Sequence, residues 1–156
     1  MLHFIFKPMN DDEARTIAAW HYEPPYDFYD MNKDLEDLKE LLDACKRTDA
    51  YFSVINENDE LIGFFTFSPQ PEQNLLEIEL GLRPDLTGKG LGSAFLEAGL
   101  TFARDAFAPA SFALSVATFN KRAIRTYLHA GFRPRDIFMQ QTNGSQFEFL
   151  RMIRTG

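Results

Sequence analysis

One cysteine, Cys45, is present in 156 residues, so neither an internal disulfide framework nor a cysteine-rich zinc site can be assembled. The three histidines, His3, His21 and His129, are scattered without metal-ligand spacing, and no metal is expected. No apolar run approaches the ~18 residues of a membrane span, so no membrane partner is expected. The opening MLHFIFKPMNDDEA has a short apolar piece but not the layout of a cleavable signal. An excess of positive charge is also missing. Sixteen Lys+Arg stand against 23 Asp+Glu, a net charge of −7, which repels a polyanionic duplex and argues against nucleic acid as a partner. Repeats, low-complexity tracts and linkers are lacking. With 45% apolar and 25% charged residues, the chain reads as one domain over 1–156, long enough to bury a core, with the cytoplasm as its default location.

The charge that is present is unevenly spread. Residues 11–43 hold eleven acids against three bases, whereas residues 84–156 hold nine bases against five acids. Such a chain suits two ligands of opposite sign, although solvated helix faces also explain it. Residues 2–6 read as a strand. Asn10 and Glu13 resemble a capping box opening a helix that runs through about His21, with Ala14, Ile17, Ala18 and His21 on one face. Glu23-Pro24-Pro25-Tyr26-Asp27 must be a loop, because paired prolines exclude helix. Leu35, Leu38, Leu41, Leu42 and Cys45 then recur at helical spacing, which places Cys45 on the apolar face as a buried thiol. Residues 50–57 and 61–68 read as a hairpin, and 74–82 as a strand with Glu77, Glu79 and Gly81 on one face. A helix, a strand at 111–117, a helix from Asn120 to Ala130 and a hairpin around Asn143-Gly144 complete the order β-α-α-β-β-β-α-β-α-β-β. Gly131 reads as a left-handed cap with Phe132 packing behind it. The fold class expected is α/β (α+β), a mixed, mostly antiparallel central sheet with helices on both faces.

The most informative stretch follows the fourth strand: Leu80-Gly81-Leu82-Arg83-Pro84-Asp85-Leu86-Thr87-Gly88-Lys89-Gly90-Leu91-Gly92-Ser93. A strand runs into three alternating glycines and then a helix. Successive N–H groups in such a turn form an anion-binding concavity, and the helix N-terminus behind adds a favourable dipole. Bound phosphate or pyrophosphate is the chemistry implied, with a tight turn that holds no ligand as the plain alternative. A Walker A loop fails on spacing, because Gly81 lies too far before Gly88 and Gly90 follows Lys89. A dinucleotide fingerprint fails at Ser93, where its third glycine belongs.

Pro84-x-x-x-Gly88-Lys89-Gly90-Leu91-Gly92-Ser93, followed by Asn120-Lys121-Arg122-Ala123-Ile124-Arg125-Thr126-Tyr127-Leu128-His129-Ala130-Gly131-Phe132, resembles the GNAT superfamily of acyl-CoA-dependent N-acyltransferases. Both blocks occur in order, and the element order matches over essentially the whole chain. The resemblance implies acetyl-CoA as donor, with the backbone of Gly88, Lys89, Gly90, Leu91, Gly92 and Ser93 on its pyrophosphate. The main chain of Leu80, Gly81 and Leu82 would pair with the pantetheine arm like an added strand. Asn120 and Ala123 would lie along the arm, and Tyr127 beside the sulfur. Asn120 and Tyr127 are two turns apart, hence on one helix face; ordinary packing is the other reading of Tyr127. Thr87 stands where the family usually has Gln or Arg, which leaves its side-chain contacts open. Ser115 stands where members that acetylate protein N-termini tend to carry Glu, which argues against that subgroup.

The activity implied is N-acetyl transfer to a primary amine by direct attack in a ternary complex. The acceptor would be a small amine, a polyamine, an aminoglycoside or a peptide lysine, and the enzyme a monomer or homodimer. Tyr127 would protonate the leaving thiolate, and a backbone N–H near Leu82 would hold the oxyanion. Glu77 is expected as the base that takes the amine proton, with Glu79 as the alternate. Trp20, Tyr22, Tyr26 and Tyr29 interleave with acids in the Pro-constrained loop. Ring faces with carboxylates favour a cation, which makes them candidate acceptor-binding residues or simply a packed cover. A CoA-binding sensor without turnover is the competing class.

Overall fold

The structure is a computed structural model that describes residues 3–47 and 49–156. Segments rich in aromatic and β-branched residues form strands β1 (Ile5–Pro8), β2 (Tyr51–Ile55), β3 (Leu61–Gln70), β4 (Leu75–Leu82), β5 (Ser111–Ala117), β6 (Arg133–Thr142) and β7 (Ser145–Thr155). All join one sheet in the order β1-β2-β3-β4-β5-β7-β6. The helices are α1 (Asp11–Ala18), α2 (Leu35–Leu42), the single turn α3 (Ala44–Arg47), α4 (Gly92–Phe107) and α5 (Lys121–His129). Short 3₁₀ turns occupy Tyr26–Tyr29, Met31–Lys33, Pro71–Gln73 and Pro84–Leu86. The mixed, mostly antiparallel α/β arrangement expected from the sequence is the one found.

Strand alternation assigns the two faces of the sheet. Phe65 and Phe67 of β3 pack with Phe95, Leu96, Leu100 and Ala103 of α4 in the main core, which also takes Leu76, Ile78, Phe112, Leu114 and Val116. Close approach is set by Gly99, where a Cβ would sit 2.2 Å from the Phe65 ring. Phe64 joins a smaller cluster with Ala14 and Ile17 of α1, Leu41 of α2 and Trp20. Glu79 pairs with Thr66 and Gly81 with Phe64 in the β3–β4 register, so Glu77, Glu79 and Gly81 share the α1–α2 side of the sheet.

Strands β4 and β5 form the parallel pair, and their pairing is brief. It runs from Leu75 opposite Ser111 to Glu77 opposite Ala113 and then stops. β4 stays paired to β3 as far as Leu82 opposite Gly63, and β5 stays paired to β7 as far as Ala117 opposite Phe149. The sheet therefore opens into a V whose walls are residues 78–82 and 114–117.

Local signals hold in most places. Asn10 and Glu13 form the capping box, Gly131 has φ +93°, and Asn143 and Gly144 have φ +52° and +78° in the last hairpin. Four expectations need correction. The first strand spans Ile5–Pro8 rather than residues 2–6, of which Leu2 lies outside the described residues. Pro8 lacks an N–H but is tolerated on an edge strand. Helix α1 ends at Ala18, so His21 lies beyond it and is exposed. The last two strands run several residues longer than 137–141 and 146–152. Finally, Cys45 is exposed rather than buried. Asp43 takes extended dihedrals and ends α2, so the stripe begun at Leu35 does not continue into α3. Arg47 is buried instead, where its guanidinium donates to the Leu41 carbonyl and the Asp11 carboxylate.

Candidate active site

Two cavities meet at the open end of the V. One, of about 340 Å³, is lined by Gly88, Gly90, Gly92, Thr126, Ala123 and the end of β4. The other, of about 440 Å³, is lined by Trp20, Tyr22, Tyr26, Tyr29, Glu77, Glu79 and Asn120. Leu80, Gly81, Leu82, Thr87, Arg122 and Tyr127 line both.

The smaller cavity is built from backbone. Gly88 and Gly90 have φ +72° and +78°, the left-handed region in which side-chain-bearing residues are strained. Leu91 caps α4 with no side-chain acceptor, so the first N–H groups of that helix have no cap to satisfy them. Of the residues expected around the phosphates, Lys89 and Ser93 are exposed, and Leu91 contributes main chain at the helix start rather than a lining side chain. Thr87 turns its hydroxyl back onto the Pro84 carbonyl, 2.8 Å away, and so fastens the loop.

The larger cavity is built from side chains. Tyr22 donates to the Leu82 carbonyl at 2.7 Å, and its own N–H donates to buried Asp30. Tyr29 accepts from the Ala117 N–H at 3.2 Å and from Asn120 Nδ2 at 3.3 Å. Trp20 lies against Phe64, its ring centroid 6.4 Å away. Tyr26 lies under Arg122, whose guanidinium carbon is 4.0 Å from the ring centroid. The aromatics of this loop pack against the body of the protein and also wall the cleft. At the far wall the β6–β7 turn closes on α2. Thr142 donates to Asp34 at 2.7 Å, and Asn143 donates to the Phe28 carbonyl at 2.8 Å.

Charge separates the two candidate bases. Glu77 is ion-paired to Arg151 at 2.7 Å, across β5 and at the point where β4 and β5 part. This pair clamps the base of the V, a role that conflicts with the expectation of Glu77 as the first choice of base. Glu79 makes no such pair among the described residues. It is pushed up to about 7, first by loss of hydration and then by Asp37, Glu40 and Glu77. Its surface is accessible to the cleft, but the cleft walls thin the water around it. A carboxyl that titrates near neutrality in a cleft is a group suited to moving protons.

Tyr127 projects from α5 between the two cavities. Its helix ends in the cap that the sequence indicates, with the Phe132 N–H bonded to the Tyr127 carbonyl at 3.0 Å and the Phe132 ring against the phenol. Burial, and secondly Tyr29, holds the phenol well above its ordinary pKa, so it stays protonated. Asn120 is expected along a cofactor arm, but its side chain is engaged locally. Oδ1 accepts from the Ala123 N–H and caps α5, while Nδ2 reaches Tyr29. One amide hydrogen remains for a ligand.

The GNAT acetyltransferase family model matches residues 12–132, which include the V, the glycine loop and α5. The chain belongs to the GNAT acetyltransferase family. A mycothiol acetyltransferase of Streptomyces coelicolor is 37% identical over 132 residues, 81% of this chain, which spans only 41% of that relative's length. Among solved structures, a spermidine N-acetyltransferase from Vibrio cholerae in complex with CoA and spermine superposes with TM-score 0.75 at 18% identity, covering 97% of this chain and 95% of that one. A GNAT-family acetyltransferase from Bacillus anthracis gives TM-score 0.75 at 14% identity, covering 97% of this chain and 94% of that one. At such identities the likeness is one of fold.

The donor of this GNAT family is acetyl-CoA, and the cavities fit its parts. Left-handed glycines and an uncapped helix start suit a diphosphate, and the edge of β4 beyond its pairing with β5, where among the described residues only the Leu82 carbonyl is taken, by Tyr22, suits an amide-bearing arm. Among the described residues no group of three or more His, Cys, Asp or Glu could hold a metal ion, and no helix is long and apolar enough to cross a membrane. The motif spacing does not single out Arg122, which lines both cavities, or Asp37 and Glu40, which help raise Glu79. Arg122 is in the second motif block, and a basic residue two past the helix cap is a usable signal. Asp37 and Glu40 reach Glu79 only through tertiary packing.

Proposed function

We propose that this protein acetylates a primary amine on a cationic small molecule or peptide, with acetyl-CoA as donor and direct attack in a ternary complex. The observation that carries the reading is the position of Glu79. It lies on the α1–α2 side of the sheet beside the V, in a cleft whose other walls hold Asp30, Asp34 and Asp37, next to a backbone anion cradle. Acids on one side and a cradle for phosphates on the other accommodate a cationic acceptor and an anionic donor at once.

When bound, acetyl-CoA supplies an activated carbonyl and a thiolate leaving group. Residues 88–93 would hold its pyrophosphate and residues 80–82 its arm. The chain's own part is to manage protons and position. An alkylammonium of pKa ~10.4 is almost wholly charged at neutral pH, so it is attracted by the acidic wall but cannot attack. Glu79, with a pKa near 7, is a stronger base than an ordinary carboxylate and takes that proton directly or through one water. Glu77, held by Arg151, keeps the V in shape. Tyr127 stays protonated at working pH and would donate its proton to the leaving sulfur. Trp20, Tyr22, Tyr26 and Tyr29 offer ring faces and exclude water around the acceptor.

The test is release of free thiol from acetyl-CoA across a panel of monoamines, diamines, spermine, aminoglycosides and lysine peptides. Turnover that rises with the number of positive charges on the acceptor supports the reading. Tight binding of CoA with no turnover on any amine replaces it with a sensor of acyl-CoA.

A further inference from the structure

Arg122 is a guanidinium without a carboxylate. Among the described residues its side chain makes no ion pair and donates no hydrogen bond, although it carries five N–H groups. It is half-buried in the first turn of α5. Its guanidinium carbon lies over the Tyr26 ring, 4.0 Å from the centroid. A Cβ built on Gly88 would lie 3.2 Å from its Nη1. A cation with unused donors thus sits over an aromatic ring and beside Gly88, the first glycine of the loop. The loop supplies no competing side chain at this point, because Thr87 is turned onto Pro84 and Gly88 has none.

Resting on the reading above, we infer that Arg122 is the side chain that grips the donor's pyrophosphate, and that its stack on Tyr26 couples donor binding to the acceptor loop. The guanidinium fork matches phosphate oxygens in a way that the isolated backbone amides do not, and charge-assisted bonds of this kind are the strong ones. Tyr26 sits in the Tyr26–Tyr29 turn, beside Phe28 and Tyr29, which wall the acceptor cleft. Holding Arg122 on the diphosphate therefore fixes Tyr26, and through it the turn that shapes the acceptor site. The donor prepares the acceptor site by ordering one cation–π pair.

The test is calorimetric titration of CoA and of 3′-dephospho-CoA into wild type, Arg122→Gln, Arg122→Lys, Tyr26→Phe, Tyr26→Leu and the double variant Arg122→Gln/Tyr26→Leu. It is joined by kcat/KM on acetyl-CoA and on acetyl-pantetheine, which carries no phosphate. Arg122→Gln is expected to weaken CoA about tenfold to a hundredfold, Arg122→Lys less, and both ligands alike. Tyr26→Leu is expected to weaken CoA several-fold although it lies in the acceptor loop, Tyr26→Phe not at all, and Tyr26→Leu to add nothing once Arg122 is gone. The preference for acetyl-CoA over acetyl-pantetheine in kcat/KM should shrink in Arg122→Gln about as far as its affinity for CoA falls. Wild-type affinity for CoA in Arg122→Gln overturns the inference while leaving the acetyltransferase reading intact. An effect that disappears with 3′-dephospho-CoA, or an equal loss on acetyl-pantetheine, overturns it as well. Absence of CoA binding in the wild type removes the underlying reading and the inference together.

Discussion

The two walls of the cleft are made of different material. The side proposed for the donor is mostly main chain: two left-handed glycines, an uncapped helix start and the edge of β4 beyond its pairing with β5, with the Arg122 guanidinium beside Gly88. The side proposed for the acceptor consists of side chains drawn from distant places: the turn after α1, the first turns of α2, the α1–α2 side of β4 and the β6–β7 tip. Main-chain recognition needs a fixed backbone shape and tolerates change in most side chains. Side-chain recognition keeps the frame and varies the chemistry. One wall is therefore a general device for a constant ligand, and the other can be retuned residue by residue.

The sharpest way to break this contrast is Glu79→Gln. If acceptor chemistry is held in side chains, the variant loses about a hundredfold or more in kcat/KM for the amine while its affinity for CoA stays unchanged. The pH profile carries the sign. A base must be unprotonated, and this one titrates near 7, so wild-type kcat/KM climbs as pH rises through about 7 and then levels. In Glu79→Gln that bend disappears. A retained bend, or a matching loss in Glu77→Gln, returns the base to Glu77.

Tyr127 stands on the boundary between the walls, and Tyr127→Phe is expected to lower kcat about tenfold or more with little change in CoA affinity. Stopped-flow thiol release separates the two quantities. Loss of CoA affinity with kcat preserved makes Tyr127 part of the donor wall and nothing more.

A smaller effect tests the main-chain side. Gly90 has φ +78°, and no atom lies within 4 Å of the point where a Cβ would sit, so Gly90→Ala changes backbone preference without a clash. The left-handed region costs an alanine about 1 kcal/mol, which is about fivefold in CoA affinity if the free loop relaxes out of its cradle shape. Amine KM should not move. Unchanged CoA affinity shows that the loop keeps its shape without the glycine and that the cradle is more rigid than its composition suggests.

The same contrast explains what the sequence discloses. The left-handed glycines, the Gly131 stop and the Asn143-Gly144 turn are local constraints, each satisfied within a few residues, and each is in place. The glycine loop and the tip of the last hairpin are legible for that reason. The rest of the acceptor wall is tertiary. Glu77 and Glu79 are equivalent by alternation along β4, and what tells them apart comes from far along the chain: Arg151, 74 positions from Glu77, and Asp37 and Glu40 near Glu79. Cys45 departs from its expected burial because an extended Asp43 breaks a helix whose apolar spacing continues past it. Arg122 lies within the second motif block, where a basic residue near the helix start is a usable signal, but its stack on Tyr26 is not legible there, since Tyr26 comes from the other wall.

The finest test is at the tip of the acceptor wall. Thr142 donates to Asp34 Oδ2 while Asp34 Oδ1 caps α2 through the Glu36 and Asp37 N–H groups. The Thr142 bond, with help from those amides and that of Asn143, holds the Asp34 carboxyl below the usual carboxylate range. A carboxylate lowered in the folded state adds stability that is fully present above its unfolded pKa and is lost as pH falls through the folded one. Thr142→Val removes the leading contribution. The variant should melt lower than wild type at neutral pH, by about 1 kcal/mol in stability, and the two should converge as acid protonates Asp34. Because the bond also fastens the tip to α2, amine KM should rise a few-fold while CoA affinity holds. A gap between the two melting curves that stays constant into acid would mean that Thr142 acts by packing alone, and that the tip is held to α2 mainly by Asn143 on the Phe28 carbonyl.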